Sequence, residues 1–324
     1  MAGRVDWTGI FLLVIGIGSL QTVLERGQTD DWFSANYIVV LTAAAVLGLV
    51  LFIWWELRVK DPVVNLHVLK SKNLSIGAAL TFVSGFGIFS SVFLTPVFAQ
   101  RLLGFTPSQT GLLLLPGAVL AIGGLVVSAR LLQKGVSPLV MISTGMCLFG
   151  LFSWEMSHLS LDASAASIST ILIYRGVGLA IVTVPLTTLA VSSLAPKDIS
   201  QGASLNNMMR QLGGSFGIAI VNTFLAHKSA QHRSDLLVNI TPYNPAFNER
   251  LQGYTQHFID QGSSAHEAGL KAMAVIDLTV NKQSTLLSYL DGYLLVGILF
   301  ICAMPLLLLT IGGRKKKLVI VSDH

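Results

Sequence analysis

The chain has 324 residues, 52% of them hydrophobic and only 11% charged, and carries a formal net charge of +5. A water-soluble domain holds roughly 25% charged residues, so these charges are too few to cover a folded surface in water, and the expected solvent is lipid. The positive balance does not indicate nucleic acid, because the basic residues gather at the ends of apolar stretches, where they orient a chain in a bilayer.

A hydrocarbon core about 30 Å thick asks for roughly 20 apolar residues of helix at 1.5 Å rise each. Eight nearly uncharged runs of about this size follow one another, at 8–24, 38–55, 74–98, 109–129, 138–157, 167–192, 205–225 and 287–311. They mix Gly, Ala and Ser with Leu, Ile and Val and lack period-2 alternation, which excludes a transmembrane β-barrel. Helices satisfy every backbone group inside lipid. The expected fold is an all-α membrane protein of about eight transmembrane helices. The first run leads straight into further spans, so it reads as a span and not as a cleavable signal peptide.

The flanks alternate in charge. One set holds Arg4; Arg58, Lys60, Lys70 and Lys72; Arg130 and Lys134; Lys197; and Arg314 to Lys317. The opposite short loops hold Arg26 and Arg101. The positive-inside rule makes the first set cytoplasmic and puts both termini on that side of the membrane. The long segment 226–286 is expected to be an extracytoplasmic loop, with helical spacing over 264–289 (Ala265, Leu270, Ala272, Val275, Leu278) leading into the last span. The cluster Arg314-Lys-Lys-Lys reads as a positive-inside anchor or as a site for anionic membrane lipid.

Within the spans, small residues mark close helix approach. Gly213 and Gly217 form a GxxxG step, Gly176 and Gly178 sit in the sixth run, and Gly77, Thr81 and Gly85 make a stripe in the third. Pro96, Pro116, Pro185 and Pro305 each remove a backbone donor and are expected to kink their helices. Glycine-rich, kinked helices suit a bundle that rocks, and also occur in static bundles.

Charge inside a span is costly, and four such residues occur: Glu155, Arg175, Arg210 and Asp291. Glu155 and Asp291 lie near the outer ends and Arg210 near the inner end, within snorkelling reach of water. Arg175 lies deeper. It is expected either to line a polar cavity, braced against Glu155, or to hydrogen-bond in a purely structural role. Asn206, Asn207, Arg210 and Gln211 form a polar cluster at the start of the seventh run, with Asn206 and Arg210 four residues apart on one helix face. That face borders either a pathway or an ordinary membrane interface. Cys147 and Cys302 fall in apolar runs and read as small hydrophobes. His67, His158, His227, His232, His257 and His266 are assigned to loops without ligand spacing, so neither a metal nor a cofactor is expected. No nucleophile elbow, zinc motif or phosphate loop is present, which argues against an intramembrane enzyme.

Several stretches in order resemble the fourteen-helix drug:proton antiporters of the EmrB/QacA type, within the major facilitator superfamily. They are Asp6-Trp-Thr-Gly, Leu24-Glu-Arg-Gly with Asp31-Trp-Phe, Leu94-Thr-Pro-Val-Phe-Ala-Gln, Leu103-Gly-Phe-Thr-Pro-Ser-Gln-Thr-Gly-Leu, Leu115-Pro-Gly, Arg175-Gly-Val-Gly-Leu, Leu194-Ala-Pro, Asn206-Asn-Met-Met-Arg-Gln-Leu-Gly-Gly-Ser-Phe-Gly and Tyr289-Leu-Asp. The resemblance implies helices seven to fourteen of such a transporter: residues 1–57 as a two-helix linker hairpin and 58–324 as the C-terminal six-helix half. It implies proton-coupled efflux of small amphipathic compounds from the cytoplasmic (inner) membrane. It also implies a partner N-terminal six-helix half, which carries most proton-coupling carboxylates, and, in two-membrane bacteria, a periplasmic adaptor and an outer-membrane channel. The turn around Arg130, Lys134 and Gly135 resembles the superfamily's gate turn, with Gln133 where an acid often stands. Two rivals remain: a major facilitator exporter of another metabolite, and a non-transporting membrane subunit or split-gene remnant.

Overall fold

The computed structural model describes residues 6–59, 72–192 and 194–309, and within these it is helical, with no strand. The helices are α1 (Trp7–Arg26), α2 (Asn36–Glu56), α3 (Lys72–Arg101), α4 (Pro107–Gln133), α5 (Pro138–Met156), α6 (Ala165–Val191), α7 (Ile199–Leu237), α8 (Pro245–Asp260), α9 (Ala265–Ala303) and the single turn α10 (Pro305–Leu308). Arg4, Lys60, His67, Lys70 and the cluster 314–317, on which much of the orientation reading stands, lie outside the described residues.

Local sequence fixes where these helices start and stop. Asp6 caps α1, its carboxylate accepting the Gly9 N–H at 2.9 Å. Thr106 and Gln109 form a capping box with Pro107 in the first turn, so the Thr-Pro-Ser-Gln run is the start signal of α4. Gly135, at φ +87°, ends α4, as Gly135 N–H donates to Leu132 O and Val136 N–H to Leu131 O. Ser264 and Glu267 box the start of α9.

Among the described residues, seven helices are long and apolar enough to cross a membrane: α1 to α6 and α9. The run 205–225 lies in α7, which has the length, at 39 residues, but not the apolarity. Packing directions nonetheless show that α7 carries the chain back through the bundle. Beside α3, Gly77 meets Ala190 of α6 while Ser91 meets Arg175, so α6 is antiparallel to α3. Gly87 lies under Phe300 of α9 while Phe98 meets Tyr289, with ring centroids 5.9 Å apart, so α9 is antiparallel as well. Phe82 meets Gly213 and Phe86 meets Gly217, so α7 runs parallel to α3. Helices α6 and α9 therefore descend together and α7 ascends between them. Polar residues such as Asn206 are tolerated there because the helix faces protein on α3 and α9.

The segment 226–286 contains little loop. α7 continues to Leu237, α8 forms after Asn244 and Pro245, and α9 begins at Ala265. Residues 226–237 contain neither Gly nor Pro, so nothing ends the helix when its apolar stretch does. The prolines also behave unequally. α3, α4 and α6 run on through Pro96, Pro116 and Pro185, whereas α9 stops at Ala303 and Pro305 opens α10.

The core lies among α3, α5, α6 and α9 and is aromatic: Phe149 stacks on Phe300 with centroids 4.1 Å apart, and Phe152 and Phe98 set their edges against Tyr293. The α1–α2 hairpin is tied at one end by Asp6, whose carboxylate accepts the Trp55 indole N–H at 2.9 Å. It joins the rest through a small cluster of Phe52, Leu74, Ala190 and Leu205.

Candidate functional site

Arg175 is positioned by close backbone packing of α6. Gly176, the next residue, abuts the backbone of Gly117, and Gly178 abuts Gly145, so α6 lies against both α4 and α5 with no room for a β-carbon. Held there, the Arg175 guanidinium donates from Nη1 to the Ser91 carbonyl of α3 at 3.3 Å and lies 5.9 Å from the centre of the Phe152 ring of α5. Thr95 Oγ1 donates to the same Ser91 carbonyl at 2.8 Å, and the Tyr293 hydroxyl donates to Thr95 Oγ1 at 3.3 Å. One guanidinium, two hydroxyls and one carbonyl from α3, α6 and α9 thus form a polar thread through an aromatic core.

The expected brace to Glu155 is absent. Glu155 is exposed, and it is in none of the described ion pairs, which are Lys228–Asp291, His232–Asp291 and Arg233–Asp277. Helix geometry explains this: Arg175 is drawn across α6 to the α3 carbonyl, while Glu155 sits on the outward face of α5.

The polar cluster on α7 divides. Asn206 is buried, 1% exposed, with neither amide atom hydrogen-bonded; Asn207 and Gln211 are exposed. Arg210 is partly buried and donates from Nη2 to Thr187 Oγ1 of α6 at 3.4 Å, so it bridges helices and does not pair with Asn206 along its own. The backbone of Arg210 presses on Gly85, and Gly213 and Gly217 press on Phe82 and Phe86. The stripes of small residues on α3 and α7 are therefore one interface.

Asp291 of α9 accepts from His232 Nε2 at 2.9 Å, with Lys228 Nζ 3.9 Å away. His232 is thus a helical residue with a partner, as α7 carries it past the point where the sequence suggested a loop; His227, His257 and His266 also lie on helices. Ser91, Thr95 and Tyr293 escaped the sequence reading because neutral hydroxyls in an apolar run carry no signal of their own. The turn after α4 leaves Arg130, Lys134 and Gly135 exposed. A cavity of about 220 Å³ opens between the end of α7, α8 and α9, lined by Asn239, Phe247, Arg250, Tyr254 and Ile276 among others, apart from the arginine sites.

Up-and-down helices joined through glycines, with isolated polar residues in the interior, form the arrangement to which comparison with known proteins attaches a family. Residues 3–218 match the Major Facilitator Superfamily. The chain belongs to the major facilitator superfamily. It is therefore a multi-pass membrane protein of a transporter family. It is 29% identical over 301 residues to the fatty acid resistance protein FarB of Neisseria gonorrhoeae, covering 93% of this chain and 58% of that protein. It is 30% identical over 254 residues to the multidrug export protein EmrB of Escherichia coli strain K12, covering 77% of this chain and 49% of that protein. It is 26% identical over 311 residues to the colistin resistance protein EmrB of Acinetobacter baumannii, covering 96% of this chain and 60% of that protein. The chain thus spans about half the length of these curated relatives.

Proposed function

We propose that this chain is the C-terminal portion of a proton-coupled efflux transporter for amphipathic organic compounds. Residues 1–57 form a linker hairpin and 58–324 one six-helix wall of an alternating-access pathway, in the cytoplasmic membrane with both termini inside. The observation that carries this reading is the α3–α6–α7–α9 core: parallel and antiparallel helices in backbone contact, threaded by Arg175 from α6 to α3. Such a half can move as one body, because glycine contacts leave no slack between its helices. The names of the relatives, which speak of fatty acid resistance, multidrug export and colistin resistance, favour amphipathic cargo. Their length favours a complementary N-terminal six-helix half as partner, and the resemblance adds a periplasmic adaptor and an outer-membrane channel. Arg175, Arg210 and the inner polar cluster belong to the pathway wall in this reading. Glu155 and Asp291 belong to its outer side, and Arg130, Lys134 and Gly135 to the inner gate turn.

The test is the susceptibility of a pump-deficient host to a panel of dyes and detergents. Resistance is expected when the chain is expressed with a complementary half, and none when it is expressed alone. Resistance conferred by neither, at verified membrane expression, counts against transport and favours the non-transporting subunit.

A further inference from the structure

Two guanidinium groups in the bundle have no carboxylate partner among the described ion pairs. Arg175 and Arg210 are both partly buried in helices, and a guanidinium offers five N–H donors and no acceptor. Each has a single side-chain hydrogen bond across the bundle, to the Ser91 carbonyl and the Thr187 hydroxyl respectively, both neutral. Neither Arg175 nor Arg210 takes part in a described ion pair: Asp291 is held by His232 and Lys228, Asp277 by Arg233, and Glu155 is exposed. An intramembrane cation without a counter-charge is costly to keep. The surroundings of Arg175 show which anion would suit it. The Phe152 ring is neutral, and the Tyr293 and Thr95 hydroxyls are neutral with their protons already donated to Thr95 Oγ1 and the Ser91 carbonyl, so the site has an aromatic wall and one cationic fork. A guanidinium takes both oxygens of a carboxylate at once, and an aromatic wall suits an apolar chain attached to it.

We propose that Arg175 anchors the carboxylate of an amphipathic anion, which makes it the residue that selects anionic over neutral cargo. The inference rests on the reading of this chain as a pathway wall for amphiphiles, but its test does not require transport. The purified chain, in nanodiscs of phosphatidylcholine, is titrated with dodecanoate, dodecanol and dodecyltrimethylammonium, which share a tail and differ in head-group charge. Dodecanoate should bind about tenfold more tightly than dodecanol, the size of one charge-assisted pair, and the ammonium most weakly. Arg175→Gln should abolish the difference, Arg175→Lys keep part of it, and Arg233→Gln, at an exposed ion pair away from the pathway wall, keep all of it. Should Arg175→Gln fail to insert, the wild-type chain still decides: the preference must vanish as acidification protonates dodecanoate. Equal binding of dodecanoate and dodecanol overturns the proposal, as does a preference that survives in Arg175→Gln or is lost equally in Arg233→Gln. A failure of the susceptibility test with an intact dodecanoate preference would reject efflux and leave the anion site standing.

Discussion

At the scale of single residues, backbone contact and hydrogen bonding separate positions that look alike in sequence. Gly176 and Gly123 are both glycines in apolar helices, yet a β-carbon at Gly176 would run into the Gly117 backbone whereas one at Gly123 would meet nothing. Gly176→Val should therefore cost about 3 kcal/mol, the upper end for overpacking, and Gly123→Ala should be neutral or stabilise by roughly 0.5 kcal/mol through helix propensity. Thermal unfolding in detergent reads both. Trp55→Phe removes the indole N–H that reaches Asp6 but leaves the Asp6 cap on Gly9 intact. Its expected cost is about 1 kcal/mol, whereas Asp6→Ala loses cap and bond together and should cost about twice that. The special place of Arg175 was legible from its depth in the sixth run. Its partner was not, because a backbone carbonyl such as that of Ser91 is present at every residue and only the fold selects one.

At the scale of helices, the sequence announced starts better than stops. Capping boxes at Thr106–Gln109 and Ser264–Glu267 open α4 and α9. Thr106→Ala should lower stability by about 1 kcal/mol, as measured by the same unfolding transition, and Gln109→Ala by less. The stretch 226–286 was read as a loop because it is polar, but polarity marks departure from lipid and not departure from helix. Its zipper of His232 and Lys228 on Asp291, with Arg233 on Asp277, pairs residues 44 or more positions apart, a distance no local pattern could encode. Arg233–Asp277 is largely solvent-exposed, so Asp277→Asn should change stability by less than about 1 kcal/mol.

At the scale of the whole molecule, seven of the eight expected crossings fall, among the described residues, in helices long and apolar enough to span a membrane, and the eighth, in α7, is supported by packing direction. α7 fills the return path that α6 and α9, descending together, leave open. With Cys147 and Cys302 replaced by serine, Ser204→Cys should be labelled by a membrane-impermeant maleimide only from the cytoplasmic side and Asp235→Cys only from the opposite side. Both side chains are exposed, at opposite ends of α7. Labelling of both from one face would remove the crossing and reverse the orientation of everything after it. The two-helix hairpin and the family were legible in motif order, because Asp6-Trp-Thr-Gly and the α7 motif each perform local work: one caps and latches, the other makes the glycine seam with α3.

Helices α7 and α9 are each 39 residues long, or about 58 Å at helical rise, against a hydrocarbon slab of about 30 Å. The 12 residues of α7 beyond its apolar run (226–237) and the 22 of α9 before its own (265–286), about 18 Å and about 33 Å of helix, therefore stand proud of the lipid as a stiff mast, rooted in the aromatic core and stayed near its foot by the Asp291 contacts. A mast magnifies angles: a tilt of about 10° at the root sweeps its tip sideways by several ångströms, the order of one helical pitch. Any rotation of the bundle would thus be displayed, enlarged, at a height where only water and other proteins can meet it.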